Sequence, residues 1–227
     1  MVEAAASVAQ TEAQLLDQVG ARGWTEPDQE RLVTAHALAA RLFDGRSRIT
    51  GKPFLGHVVR TASFADDAGE RTDVVLAGLL HSAYTRGDFG DGTREVTPGK
   101  RAAVTAAAGP AVELIVLAYT TIPFDRPDVD ALCQGPPVEH LTRDVFALRM
   151  ANNLDELLER EHWNYTNPEQ WAELYALCVR AARHQGMDRI ADRMELGLVA
   201  DDVVRPKRRH PRGLRRFTRR ASLRRQP

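Results

Sequence analysis

Apolar residues recur at helical spacing along most of this chain. Between Thr25 and Phe43 they return every three or four positions, which predicts an amphipathic helix that Thr25 caps, with a proline in its first turn. Residues 74–81 are apolar on every side, and a helix of that kind belongs at the centre of a bundle. Alternating runs bounded by Asn-Gly or Asp-Gly turns, the signals of β-hairpins, do not occur. The pattern therefore predicts an all-α protein.

Two stretches interrupt the helical pattern. Residues 83–97 are rich in Gly, Asp and Arg, and residues 122–141 are rich in proline, so we expect a loop in each place. The remaining segments predict eight or nine helices in all. We expect them to form one helical domain over residues 1–204, followed by a tail over residues 205–227.

Composition places the chain among ordinary globular proteins. Of its 227 residues, 43% are hydrophobic and 27% are charged, which is enough apolar material for one substantial core. No apolar run approaches 18 residues, so we expect no membrane span, and the first residues do not resemble a secretory signal. The two cysteines, Cys133 and Cys178, form no metal motif and indicate no disulfide framework. These features predict a cytoplasmic protein.

The net charge of zero hides a strong asymmetry between body and tail. From Arg205 onward there are eleven Lys or Arg residues and no acidic residue. Subtracting these from the 31 basic residues leaves 20 against 31 acidic ones, so residues 1–204 carry a charge of −11. We expect the tail to be flexible and to bind a polyanion such as nucleic acid, an anionic membrane surface or the acidic body itself. The alternative is a solvated tail without a specific partner.

The chemically most informative residues lie in two segments. The first is Arg48-Ile-Thr-Gly-Lys-Pro-Phe-Leu-Gly-His57, and the second is Leu79-Leu80-His81-Ser82. Together they resemble the metal-binding core of the HD-domain superfamily, specifically the alarmone-hydrolase branch that removes pyrophosphate from guanosine polyphosphates. They also resemble an uncharacterised HD-like bacterial family with His-Ser in place of His-Asp. The resemblance is strongest over residues 25–160 and implies an HD-domain-like helical bundle.

The chain departs from the HD pattern at the carboxylates. Ser82 stands where the family has the aspartate of its His-Asp pair, and Asn152 replaces the last aspartate ligand. The acidic pair that drives hydrolysis falls on Thr85 and Arg86. We therefore predict no cofactor; if a metal binds at all, it is a weakly held Mn or Fe at the two histidines. Rescue of the metal site by Asp88, Asp91 or Asp155 stays open.

The resemblance implies that His57 and His81 share a pocket, although two hydrogen-bonded core histidines are the simpler reading of the pair. Catalysis in that pocket would fall to the histidines and Ser82, with His57 as the base for Ser82 or for a substrate. Arg48 matches the family arginine that lies over the bound nucleotide. Nearby cationic and aromatic residues suit an anionic or planar ligand, unless they are ordinary surface residues. The complete set of candidate ligand-binding residues is Arg48, Lys52, Tyr84, Arg86, Asn152 and Asp155.

These observations lead to one favoured function and two alternatives. The favoured one is a metal-depleted HD-like protein whose former active-site cavity binds a small organic or phosphorylated molecule. Repurposed, non-hydrolytic chemistry in specialised metabolism is compatible with it. The first alternative is a metal-dependent nucleotide or alarmone-type phosphohydrolase with replacement ligands. The second is a catalytically inactive regulatory or interaction module, and the sequence leaves the oligomeric state open.

Overall fold

The computed structural model describes residues 8–122, 124–135, 142–161 and 167–204, so the basic tail over 205–227 lies outside the described residues. In the described part the chain forms helices and no β-strand, which confirms the all-α prediction. The helices are α1 (Glu12–Ala21), α2 (Glu26–Leu42), α3 (Phe54–Asp67), α4 (Thr72–Leu80), α5 (Ala83–Arg86), α6 (Pro98–Ala108), α7 (Pro110–Thr121), α8 (Arg126–Leu132), α9 (Arg143–Leu158), α10 (Pro168–His184) and α11 (Asp188–Val204).

Nine of these helices contain nine or more residues, which agrees with the predicted eight or nine. The short helices α5 and α8 lie in segments predicted as loops. In α8, Asp125 and Asp128 form a reciprocal capping box, which stabilises a seven-residue helix despite the prolines around it. The N-cap expected at Thr25 is present, since its hydroxyl accepts a hydrogen bond from the Asp28 amide.

Helix α4 forms the centre of the bundle. Its residues from Val74 to Leu80 are all buried, and it packs against α2, α3, α6, α7 and α9. Gly78 faces Ala62 of α3, and this pair of small residues lets the two helices approach closely. The central position was predicted from the absence of a polar face, and the structure bears it out.

Helix α9 lies beside α3 and α4 and connects the centre of the bundle to the outer pair α10 and α11. It is buried along most of its length, including the polar residues Asn152, Asn153 and Asp155. Buried polar side chains on a central helix require partners from its neighbours, and those partners form the site described below. None of the helices in the described ranges is long and apolar enough to cross a membrane.

Candidate functional site

Two buried histidines meet where α3 begins and α4 ends. His57 lies in the first turn of α3 and His81 follows the last residue of α4, and each is 1% exposed. Their Nε2 atoms are 3.2 Å apart, and the two rings meet edge to face with centroids 5.1 Å apart. The fold therefore brings together the two histidines that the sequence places 24 residues apart.

The other ring nitrogen of His57 contacts a buried carboxylate of α9. His57 Nδ1 lies 2.6 Å from Asp155 Oδ2, and Arg60 Nε donates to Asp155 Oδ1 at 2.6 Å. Burial alone would raise the pKa of Asp155, but the hydrogen bonds and charges of His57 and Arg60 outweigh it and hold that pKa below its usual value. Asp155 is therefore ionised and accepts the proton that His57 carries on Nδ1.

His81 is held by the backbone of its own helix. Its Nδ1 lies 2.8 Å from the Gly78 carbonyl oxygen, and because a carbonyl can only accept, Nδ1 carries the proton. Burial, together with the neighbouring His57, lowers the pKa of His81 well below its usual value. His81 is therefore neutral and turns the lone pair of Nε2 towards His57.

The side chains around the histidine pair can be compared with the ligand set that the sequence resemblance implies. Such a metal site needs anionic ligands beside its histidines, and in the part of the chain that the structure describes no three His, Cys, Asp or Glu side chains come together to hold a metal. Asp155 contacts the Nδ1 edge of His57, where it supports the ring and does not face the Nε2 atoms. Asn152 is neutral and donates to Glu156 at 3.2 Å.

The two other aspartates considered for rescue of the metal site lie elsewhere. Asp88 is exposed and pairs with Arg46 at 3.5 Å. Asp91 pairs with Lys100 at 3.2 Å. Both carboxylates belong to the loop over residues 87–97, each is already paired with a cation, and neither joins the histidines in a group of three ligands.

A cleft of about 550 Å³ opens beside the histidines. His57 packs edge-on against Phe54 at 5.3 Å between centroids, and His81 packs edge-on against Tyr119 at 5.1 Å. These two aromatic rings also line the cleft, so they stand between the histidine pair and the open space. The full lining comprises Arg48, Phe54, Ser82, Thr85, Arg86, Arg94, Tyr119, Asn152 and Glu156.

The arginines of the cleft differ in how well they are neutralised. Arg48 is bound to Glu161 through two nitrogens and to Glu156 at 3.3 Å, so its charge is largely compensated. Arg86 and Arg94 are exposed, and no carboxylate among the described residues lies within ion-pair distance of either. Arg94 donates to the Thr85 carbonyl at 3.2 Å. The open side of the cleft is therefore cationic.

Four of the predicted site residues line this cleft, namely Arg48, Ser82, Arg86 and Asn152. Three predicted ligand-binding residues are engaged elsewhere. Lys52 is 55% exposed and pairs with Glu159, and Asp155 is enclosed behind His57. Tyr84 is buried and donates to Glu113 at 2.9 Å. Burial, together with this hydrogen bond, raises the pKa of the Tyr84 phenol.

Several cleft residues were not predicted from the sequence. Phe54 is part of the motif that carries the HD resemblance, and Glu156 lies one helical turn after Asn152, so both had a signal in the sequence. Arg94 and Tyr119 had none, because each arrives from a separate segment of the chain. Their contribution depends on the tertiary packing of α7 and of the loop before α6.

Comparison with known proteins supports the fold. Residues 43–124 match the family model described as "Domain of unknown function (DUF6817)". A solved structure, reported as "A metazoan ortholog of SpoT hydrolyzes ppGpp and plays a role in starvation responses", superposes with a TM-score of 0.53. The superposition covers 77% of this chain and 97% of that one at 14% identity. The chain has the fold of an HD-domain protein.

The sequence relationship to this group is local. Two curated Arabidopsis thaliana sequences, both described as "Probable GTP diphosphokinase RSH3, chloroplastic", are 32% identical over 81 residues. The match covers 32% of this chain and about 11% of the length of these relatives. The predicted similarity to the alarmone-hydrolase type of HD protein is thereby confirmed.

Proposed function

We propose that this HD-like protein binds a phosphorylated small molecule of the nucleotide class in its cleft, without a metal. One observation carries the proposal: Arg86 and Arg94 line the same cleft, and neither has a carboxylate partner among the described residues. Arginine presents a planar fork of N–H donors that matches phosphate oxygens, and such charge-assisted hydrogen bonds are stronger than neutral ones. An anion can therefore bind here without first displacing an internal partner.

The remaining lining of the cleft suits a different part of the ligand. The hydroxyl of Ser82 and the amide of Asn152 are neutral, and the negative charge of Glu156 is balanced by its ion pair with Arg48. Phe54 and Tyr119 add aromatic rings to the same lining. We therefore assign phosphate groups to Arg86 and Arg94, and a planar or hydroxylated group to the lining around Asn152 and Glu156.

Hydrolysis is not part of the proposal. In the HD pattern an acidic pair would stand at Thr85 and Arg86, and an arginine cannot act as a general base at neutral pH. The histidines lie behind Phe54 and Tyr119 and are 1% exposed. The residues that line the cleft therefore suit binding of the ligand better than its hydrolysis.

The descriptions of the similar proteins suggest which ligand to try first. One is described as hydrolysing ppGpp and the other as a probable GTP diphosphokinase, so both descriptions name a phosphorylated guanosine nucleotide. For this chain such a nucleotide is the natural first probe. A cytoplasmic location belongs to the same proposal.

The test is calorimetric titration in the presence of EDTA with guanosine 3′,5′-bis(diphosphate), GDP, pyrophosphate and guanosine. We expect the three phosphorylated compounds to bind and guanosine to bind far more weakly. Arg86→Ala and Arg94→Ala should each weaken binding about tenfold, which corresponds to about 1.4 kcal/mol. The matched control is Arg126→Ala, which removes an exposed arginine of α8 outside the cleft and should change nothing. Equal binding by wild type and both cleft variants would reject the proposal.

One observation favours a metal-dependent phosphohydrolase as a second candidate. The Nε2 atoms of His57 and His81 converge within 3.2 Å, and Asp155 supports His57 from behind as a carboxylate supports a metal-bound histidine. Elemental analysis of the purified protein separates the two candidates. We expect well under one equivalent of Mn, Fe, Co or Zn. A near-stoichiometric metal that is lost in His57→Ala would favour the hydrolase.

A further inference from the structure

Lys100 is a charged residue in an unusual place. It lies in the first turn of α6, directly after the N-cap Thr97 and two further residues, and its side chain is only 3% exposed. Lysine is almost never buried to this extent unless its ammonium is fully paired. The partners of Lys100 therefore indicate which part of the structure its ammonium stabilises.

Those partners all belong to the loop over residues 87–97. Lys100 Nζ donates to the Thr93 carbonyl at 2.6 Å and to the Glu95 carbonyl at 3.0 Å. It also lies 3.2 Å from a carboxylate oxygen of Asp91 and 5.5 Å from the centroid of the Phe89 ring. The ammonium thus binds the backbone on both sides of a single residue, Arg94.

Three further hydrogen bonds of the loop join residues that are close in the sequence. The side chain of Asp88 accepts from the Gly90 amide at 2.9 Å, and that of Asp91 accepts from the Thr93 amide at 3.1 Å. The Thr93 hydroxyl accepts from the Glu95 amide at 3.0 Å. Each of these contacts shapes two or three residues, whereas Lys100 ties the loop to a helix of the bundle.

We infer that Lys100 is a positioning residue that presents Arg94 to the cleft. By fixing the carbonyls of Thr93 and Glu95, it sets the direction in which the Arg94 side chain leaves the backbone. The inference rests on the proposed function, because Arg94 is one of the two unneutralised arginines that carry it. Lys100 itself does not line the cleft and would not touch the ligand.

A double-mutant cycle with pyrophosphate tests the coupling. Lys100→Met keeps the apolar stem and removes the ammonium, and we expect it to weaken binding about tenfold, as Arg94→Ala does. The variant with both changes should bind no more weakly than Arg94→Ala alone, because a mispositioned arginine and a missing one are equivalent. Combining Lys100→Met with Arg86→Ala should instead multiply the losses to about a hundredfold. A purely structural effect of Lys100 would be additive with both arginine variants and would overturn the inference.

Limited trypsin digestion gives a second readout that does not depend on any ligand. Cleavage after Arg94 requires a mobile backbone, so Lys100→Met should be cut there faster than wild type while the helical circular dichroism is unchanged. If wild type binds no anion but the cleavage increases, the proposed function fails and the role of Lys100 in holding the loop stands. Unchanged cleavage in the folded variant overturns that role. Lys100→Gln, which keeps two N–H donors, should show intermediate cleavage and serves if the methionine variant does not fold.

Discussion

Gly78 of α4 lies in direct backbone contact with Ala62 of α3. A Cβ atom added at Gly78 would stand 2.8 Å from the Ala62 Cα and 2.9 Å from its amide nitrogen. Neither of these is the far end of a flexible side chain, so a larger residue would push the two helices apart. His57 lies in α3 and His81 directly follows α4, and their Nε2 atoms are 3.2 Å apart, so a shift between these two helices would also move the histidines.

Gly78→Ala should therefore destabilise the protein. We expect a loss of about 1–3 kcal/mol in the free energy of unfolding, measured by urea denaturation, because the core must shift to admit one methyl group. The control is Gly20→Ala in α1, where no atom lies within 4 Å of the added Cβ. That change should be neutral or stabilise by up to about 1 kcal/mol through helix propensity. If both variants unfold at the same urea concentration, the close helix contact is not present in solution.

Stability should depend on pH through His81. Its folded pKa is lowered by burial below the usual 6.5, so below pH 6.5 the unfolded chain binds more protons than the folded one. The free energy of unfolding should then fall as the pH drops from 6.5 to about 5. Asp155, whose pKa is also lowered, adds its own loss only below its usual 3.8.

The comparison that isolates this effect is His81→Gln, measured over the same pH range. Because glutamine does not titrate, the difference in the free energy of unfolding between wild type and variant should narrow as the pH falls. If the free energy of unfolding depends on pH in the same way in both proteins, His81 does not account for the loss of stability at low pH. Titrating groups that do not contact His81 are common to both proteins and cancel in the difference.

Introducing two carboxylates beside the histidines should increase metal binding. Ser82 and Asn152 line one cleft beside the histidines, so Ser82→Asp with Asn152→Asp recreates a ligand set of two histidines and two aspartates. We expect measurable binding of Mn or Fe by calorimetry, and its loss when His57→Ala is added. Hydrolysis of guanosine 3′,5′-bis(diphosphate) should not appear, because Thr85 and Arg86 still replace the acidic pair. A folded double variant without metal affinity would mean that positions 82 and 152 do not face the Nε2 atoms.

The basic tail should dominate non-specific interactions. Its eleven positive charges predict binding to polyanions such as heparin or DNA that weakens steeply with salt and does not depend on sequence. Deleting residues 205–227 should abolish this binding and leave the helical circular dichroism unchanged. Equal binding by the shortened protein would place the polyanion site on the helical body.

Much of the fold was predictable from local signals. The apolar periodicity predicted the long helices, the cap at Thr25 predicted the start of α2, and the all-apolar segment before His81 predicted the central helix. These signals are strong because hydrophobic burial and capping act within a few residues of the chain.

The site was predictable only where a motif marked it. Arg48, His57, His81 and Ser82 belong to segments of recognisable pattern, and the structure places them around one cleft and its buried wall. Tyr84 was predicted to line the same cleft because it is close to His81 and Ser82 in the sequence. Its helix instead turns it towards α7, where the buried Glu113 accepts its hydrogen bond. The direction of a side chain in a one-turn helix depends on its tertiary partners, which the apolar periodicity of the sequence does not indicate.

The orientation of the two histidines has a consequence for the stability of the core. His57 is fixed by Asp155 and Arg60, and His81 by a carbonyl of its own helix. His57, His81 and Asp155 are buried, and leaving any of these groups unpaired in the core would cost stability. The folded core therefore holds the two histidines in this arrangement whether or not they take part in catalysis. The binding properties of the protein depend instead on a few side chains of the cleft, such as the exposed Arg86 and Arg94, whose replacement leaves the core intact.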